Sequence, residues 1–437
     1  MTNRRNPAVH VLLIHQAFAS LDEPGGTRHA ELARYLAEQG HRLTIIASPV
    51  SYLTGKIGAA GQAGNVAEGN QQAQGQVASV QPNGITIRRT YTYPTLHKSF
   101  VHRVFSFISF MASSFAAGLG VKGVDLVWGT SPPIFQGVTA WALAQLKGVP
   151  FMFEVRDLWP AFAIGVGVLR SPILIRLSLW LERFLYRQAD LVLVNSPGFL
   201  EHVRQGGARQ TALLPNGADP RMFTPQEQGT QWCLRWGLEG KFVALYAGAH
   251  GMSNDLGVLL QAADLLQTAS PHEGGSTREK AQIVIVLLGD GKEKPALMNE
   301  AQRRELTNVV FLPPVPKAEM AEVLAGANAC IAILKPIPLY ATVYPNKVFD
   351  YMAAGRPVIL AIDGVIRQVV EEAQAGLFVQ PGDPQALAKA IQELADDPQR
   401  ARRMGCNGQR LVEEKFDRAE LARELSQILI GLVKKGS

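Results

Sequence analysis

The sequence predicts an α/β chain folded as two domains, each a parallel sheet wrapped by helices. Short apolar segments alternate with helical patterns in both halves, the pattern of strands joined by helical crossovers. At 437 residues the chain also exceeds what one hydrophobic core organises. A cluster of Pro, Asn and Gly near the midpoint supplies the break between the halves.

In the first half, strands are expected at His10 to Ile14, Arg42 to Ala47, Thr86 to Arg89, Asp125 to Gly129, Phe151 to Val155 and Leu191 to Val194. Between the first two, Thr27 to Gln39 carries Leu32, Ala33 and Leu36 on one helical face and stops at Gly40, a residue suited to a left-handed helix end. In the second half, strands are expected at Phe242 to Tyr246, Ile283 to Leu288, Val309 to Leu312, Ala329 to Ile333 and Pro357 to Ala361. The break falls at Leu213-Leu-Pro-Asn-Gly-Ala-Asp219, followed by Phe223, Thr224 and Pro225. Domains are therefore expected over 1–224 and 225–405, with a helical segment over 406–437. Residues 55–84, rich in Gly, Ala and Gln, read as an irregular loop, either a plain surface loop or one that orders over substrate.

With 47% hydrophobic and 18% charged residues, the chain has material for two cores and too little charge for disorder. Cys233, Cys330 and Cys406 show neither disulfide nor zinc spacing, which fits a reducing cytoplasm. The apolar run Val9 to Ile14 is too short for a signal peptide and reads as a buried first strand. Val104 to Val121 is uncharged, but its four serines and two glycines make a poor membrane span. Residues 1–224 hold 20 Lys/Arg against 12 Asp/Glu, and residues 225–437 hold 23 against 25. The first half is thus expected to meet something anionic, a membrane surface or a pyrophosphate-linked lipid. Its scattered basic residues, without an aromatic platform, argue against nucleic acid.

Gly118-Leu-Gly-Val-Lys-Gly123 matches a dinucleotide fingerprint, but these glycines close a helical stretch instead of opening one after a strand. No phosphate loop ends in Gly-Lys-Ser/Thr, and no Asp-x-Asp pair is present to hold a metal. Fixed positive charge and helix N-termini would have to do that work. The stretch Tyr340 to Val358 offers both. Pro345 and Asn346 read as a helix start, Lys347 lies in its first turn, and Asp350 follows three positions on, on the same face. Phosphate oxygens suit the first of these features and ribose hydroxyls the last. The bland alternative is a surface ion pair between Lys347 and Asp350.

Pro345 to Val358 resembles the signature of the retaining glycosyltransferases of family 4, whose fold, GT-B, is two Rossmann-like domains with parallel sheets facing a central cleft. Other residues extend the resemblance over nearly the whole chain. Gly25 and Gly26 are similar to the family's N-terminal glycine loop, and Pro215 to Asp219 with Phe223 and Pro225 to its interdomain segment. Gly289-Asp-Gly291 and Val309 to Pro316, with Val315, are similar to the loops flanking the nucleotide base. Ser131-Pro-Pro133, Phe153 to Pro160 and Thr342-Val343 resemble the bacterial surface-polysaccharide subgroup that includes the O-antigen N-acetyl-L-fucosamine transferases.

The resemblance implies an acceptor-binding first domain, a nucleotide-sugar-binding second domain and a C-terminal helical segment packing back across the cleft. It implies donor binding by Gly25, Gly26, Gly248, His250, Gly289, Gly291, Val315, Asn346, Lys347 and Asp350. No metal and no cofactor beyond the nucleoside diphosphate sugar are expected. Two departures stand out: Thr342 replaces the first of two family glutamates, and Gly248 to Ser253 lacks the family's Arg and Lys. Lys347 and the helix N-termini must then do more at the diphosphate, assisted by His250.

Glu154, Arg156 and Asp157 end an apolar strand, where they could orient the acceptor hydroxyl or take its proton. The alternative is a buried Arg–Asp pair that fixes the loop. Residues 97–117 read as a helix with Phe105, Ile108 and Phe115 gathered on one side and Arg103 near its start, either interfacial or buried. The expected activity is transfer of a hexose or amino sugar, with retention, to a polyprenyl pyrophosphate-linked saccharide at the inner face of the plasma membrane. A sugar-nucleotide 2-epimerase and a non-catalytic partner subunit are the alternatives.

Overall fold

The computed structural model describes residues 7–51, 77–81, 84–94, 100–223, 227–269 and 282–436. The chain divides into two compact units, Met1–Pro215 with Ala419–Ser437, and Asn216–Arg418.

The first unit holds strands β1 (His10–Ile14), β2 (Arg42–Ala47), β3 (Val77–Gln81), β4 (Ile85–Arg89), β5 (Leu126–Ser131), β6 (Phe151–Val155), β7 (Leu191–Val194) and β8 (Thr211–Leu213). Its helices are α1 (Arg28–Glu38), α2 (Phe100–Leu119), α3 (Phe135–Lys147), α4 (Ala161–Gly165), α5 (Pro172–Gln188) and α6 (Leu200–Gln205). The sheet runs β3-β4-β2-β1-β5-β6-β7-β8, parallel throughout except for the antiparallel pair β3 and β4. Every residue of β1, β5, β6 and β7 is buried, as strands covered on both faces must be.

In the second unit, α7 (Glu227–Arg235) precedes β9 (Phe242–Ala247), α8 (Leu256–Ala269), β10 (Ile283–Leu288), α9 (Lys294–Arg303) and β11 (Val309–Leu312). Then come α10 (Met320–Gly326), β12 (Ala329–Ile333), α11 (Asn346–Ala353), β13 (Val358–Ala361), α12 (Val365–Glu372) and β14 (Gly376–Phe378). Helices α13 (Pro384–Asp396) and α14 (Pro398–Lys415) complete the unit. Its parallel sheet runs β11-β10-β9-β12-β13-β14. Alternate residues of β9 serve opposite cores. Val243 and Leu245 join the core that holds Val348, Phe349 and Met352, whereas Phe242, Ala244 and Tyr246 join the one that holds Leu259 and Ile391.

Helix α15 (Arg418–Gly436) joins the first unit from Ala419 onward, where Leu421, Leu425 and Leu429 enter the same core as Leu32, Leu36 and Ile45. This division differs from the expected boundaries. The break expected after residue 224 lies between Pro215 and Asn216, and residues 406–418 stay with the second unit. Hydrogen bonds explain the shift: Ala218 N–H donates to Phe416 O at 3.1 Å, and Arg418 N–H donates to Ala218 O at 2.8 Å. The short strands β8 and β14 were not expected, and β3 falls inside the stretch read as a loop. The rest of that stretch, apart from Gly84, lies outside the described residues.

Leu425 is fully buried. Leu425→Ala should destabilise the first unit by about 2–5 kcal/mol, read as a lowered midpoint in chemical denaturation. An unchanged midpoint would place α15 outside that core.

Candidate functional site

In the second sheet, β9 has β10 on one side and β12 on the other, and open parallel sheets bind ligands beyond the carboxyl ends of strands at such a reversal. Gly248 follows β9 with φ +151°, and a Cβ there would stand 2.6 Å from Lys347 Nζ. Gly289 and Gly291 follow β10 with φ of +143° and +156°. A Cβ on Gly289 would strike the Gly248 carbonyl oxygen, and one on Gly291 the His250 carbonyl oxygen. The two loops touch backbone to backbone, an approach that requires glycine.

His250 is buried between these loops. Its N–H donates to Asp290 O at 2.8 Å, and its carbonyl accepts from Glu293 N–H at 2.9 Å. The ring lies 6.0 Å from that of Tyr246 and 6.4 Å from that of Phe311, and neither ring nitrogen has a partner among the described residues. Burial, aided by Lys294 and opposed by Asp290, pushes its pKa down to about 4, so the imidazole is neutral. Lys294, which the sequence analysis missed, donates from Nζ to Gly289 O at 2.7 Å and Leu312 O at 2.8 Å.

Lys347 stands in the first turn of α11, behind Pro345 at the N-cap. Its Nζ lies 4.0 Å from the centre of the Tyr246 ring, and burial pushes its pKa down to about 7. The ion pair that helix spacing allowed with Asp350 is replaced by another. Asp350 Oδ1 pairs instead with Lys317 Nζ at 2.6 Å, and Lys317 sits 5.3 Å from the Phe223 ring centre. No acidic side chain pairs with Lys347 among the described residues.

Asn346 is held from two sides: its Nδ2 donates to Asp350 Oδ2 at 3.3 Å, and its Oδ1 accepts from Arg418 Nη2 at 2.9 Å. The buried Arg418 guanidinium also donates to Gly217 O. Val315 is half-buried and packs against the core that holds Phe349. Thr342 donates its hydroxyl to Leu339 O at 2.7 Å.

In the first unit, Gly25 and Gly26 lie in the loop between β1 and α1, and Gly25 has φ +150°. Among the described residues nothing stands within 4 Å of where a Cβ on Gly26 would be. Glu154, expected beside Asp157 at the acceptor, is instead drawn into the interior. It is fully buried, with Arg28 Nη1 at 2.5 Å from Oε1 and His29 Nε2 at 2.6 Å from Oε2. Burial alone would raise its pKa, but Arg28, His29 and Arg156 outweigh it and hold the carboxylate at about 2. Through these contacts Glu154 ties α1 to β6. Arg156 donates from Nη2 to Pro132 O at 2.8 Å and so shapes the Ser131 to Pro133 loop. Asp157 is exposed, yet the surrounding protein pushes its carboxyl up to about 6 against the pull of Arg156. Of the three residues, Asp157 alone presents an exposed acid.

Burial, opposed by Glu154, pushes His29 from its ordinary 6.5 down to about 4. Above pH 6.5 its contribution to stability is complete. As the pH falls from 6.5 towards 4, the unfolded chain takes a proton that the folded one refuses, and stability is lost. His29→Gln should therefore lower Tm at neutral pH and flatten its decline across this window in thermal melts. An unaltered slope would assign the decline to other groups.

Residues 25–217 match the family described as glycosyl transferase 4-like domain, and residues 241–397 match glycosyl transferases group 1. The chain is 27% identical to a D-inositol 3-phosphate glycosyltransferase of Streptomyces scabiei, over 51% of this chain and 50% of that one. It is 22% identical to WcaI of Escherichia coli K12, named for colanic acid biosynthesis, over 84% of this chain and 88% of that one. The chain thus spans about half the length of the first of these relatives and most of the second. The solved structure of Anabaena HepE in complex with UDP-glucose superposes with a TM-score of 0.68 at 18% identity, covering 97% of this chain and 100% of that one. Two parallel sheets, glycine-lined loops beyond β9 and β10, and two matching domains in this order place the chain in family 4 of the GT-B glycosyltransferases, among relatives of surface-polysaccharide type.

Proposed function

We propose that this protein moves a hexose or amino sugar, with retention, from a nucleoside diphosphate sugar to a polyprenyl pyrophosphate-linked saccharide in bacterial surface-polysaccharide synthesis. The observation that carries the reading is Lys347: a desolvated amine at a helix N-terminus, beside Gly248, with no acidic partner among the described residues. A diphosphate supplies the missing negative charge, and the same contact strengthens as charge develops on the leaving group. Asp350, tied to Lys317 and Asn346, offers its carboxylate edge to ribose hydroxyls. Asp157 is the acceptor-side acid, and Arg156 holds its loop in place. The UDP-glucose of the HepE complex supports a sugar nucleotide as donor. The basic balance of residues 1–224 and the exposed Phe105 and Ile108 on α2 support attachment at the inner face of the plasma membrane.

The decisive assay incubates the protein with a panel of nucleotide sugars and membrane lipid extract and identifies products by mass spectrometry. A sugar added to a lipid-linked saccharide is the expected result. Exchange at C2 of the donor sugar without transfer would instead identify an epimerase, and tight donor binding without turnover a non-catalytic subunit.

Lys347→Ala should lower kcat by about a hundredfold or more, since it removes charge where the diphosphate develops it. Asp350→Asn should chiefly raise the donor KM, and it should also lower Tm because the buried Lys317 loses its carboxylate partner. Equal, small kinetic effects from the two would remove both residues from the donor site. Turnover should persist in EDTA, because Lys347 and the α11 amides carry the diphosphate charge. Activity lost on chelation and restored by magnesium would overturn that account.

A further inference from the structure

Helix α5 has an exposed apolar stripe that is left uncovered among the described residues. Ile173 is 72% exposed, Leu177 56% and Trp180 63%, at the i, i+4 and i+7 spacing of one helical face, with Leu174 beside them at 39%. The Trp180 ring stacks on Phe184 at 5.6 Å, and Phe184 meets Trp141 of α3 edge-on at 4.9 Å. The tryptophan is thus braced while its other face remains open. Arg176, Arg183 and Arg187 are exposed and follow one flank of the stripe. The helix has a single acid, Glu182, which is buried and accepts from Tyr186 Oη at 2.9 Å with His202 Nε2 at 2.8 Å. The outer face of α5 is therefore apolar and cationic, with no acidic side chain.

We propose that α5 lies in the plane of an anionic bilayer surface and docks the first unit on it. Ile173, Leu177 and Trp180 would enter the boundary between headgroups and acyl chains, and the arginine flank would meet lipid phosphates. Charge decides between a bilayer and a second copy of this chain. A copy packing helix on helix would bring no acid from α5 to meet the arginines, whereas phosphatidylglycerol headgroups provide one negative charge each. Among the described residues no helix is long and apolar enough to cross a membrane, so α5 lies on the surface without spanning it. Helix α3, which meets α5 through Trp141 and Phe184, also exposes Leu146, by 66%. This proposal deepens the membrane-attached reading above and rests on it only for the purpose of docking.

The test is flotation of the full chain with vesicles of phosphatidylglycerol and phosphatidylcholine at low salt, alongside vesicles of phosphatidylcholine alone. Wild type should float with the anionic vesicles and be released by high salt. Ile173→Ser/Leu177→Ser/Trp180→Ser should weaken binding at least about tenfold. Arg176→Gln/Arg183→Gln should weaken it about thirtyfold on anionic vesicles, at roughly 1 kcal/mol per basic residue. Phe105→Ser/Ile108→Ser, on α2, should change it less. The proposal is overturned if wild type does not float, if both α5 variants float like wild type, or if only the α2 variant fails to. It is also overturned if sedimentation shows a wild-type dimer that the triple variant dissolves, for the face would then join two copies. Should the triple variant melt early, the arginine variant, whose side chains lie outside the core, decides alone. If docking through α5 holds but mass spectrometry finds sugar only on soluble acceptors, the docking stands and the lipid-linked acceptor falls.

Discussion

The geometry of the second unit depends on one buried guanidinium. Arg418 donates to the Gly217 carbonyl and to Asn346 Oδ1, while its own backbone pairs with Ala218. The segment by which the chain enters the unit, the segment by which it leaves, and the first residue of α11 are therefore one hydrogen-bonded assembly. A buried cation persists only where acceptors converge on it. The Gly217 carbonyl and the Asn346 amide that do so here fix the position of the α11 N-terminus. Lys347 and Asp350 inherit their places from it, one facing Tyr246 and the other Lys317.

A second constraint is the backbone contact between the loops that follow β9 and β10. Gly248, Gly289 and Gly291 adopt conformations and spacings closed to other residues. The loops can thus approach closely enough for His250 to be enclosed and for Lys294 to satisfy two carbonyls. Lys347 adds a desolvated amine beside which no carboxylate stands among the described residues. Packing of the backbone thus fixes the glycine loops against which the Lys347 amine rests.

Much of this was legible in the sequence because it is local. Strands such as β1, β2, β6, β7, β10, β11 and β12 are apolar runs between turn residues, and their bounds follow the expected ones. The helix start at Pro345 and Asn346 was also readable from neighbouring residues. β8 and β14, three residues each, are too short to show a period. Partnerships across the fold were hidden. Glu154 is bound by Arg28 across a separation of 126 residues and by His29 across 125, and Arg418 reaches Gly217 across 201. Asp350 shows why: helix spacing offered it Lys347, but tertiary packing delivered Lys317.

The division of the chain also orders its biosynthesis. The second unit is one uninterrupted stretch, Asn216–Arg418, and all its strands have emerged once β14 is made. The first unit is begun first but completed last, because Leu421, Leu425 and Leu429 of α15 belong to its core. Until α15 leaves the ribosome, the core that holds Leu32, Leu36 and Ile45 lacks the leucines that α15 contributes. The domain synthesised first is thus the one that waits, with exposed apolar surface, while the whole of the other is translated.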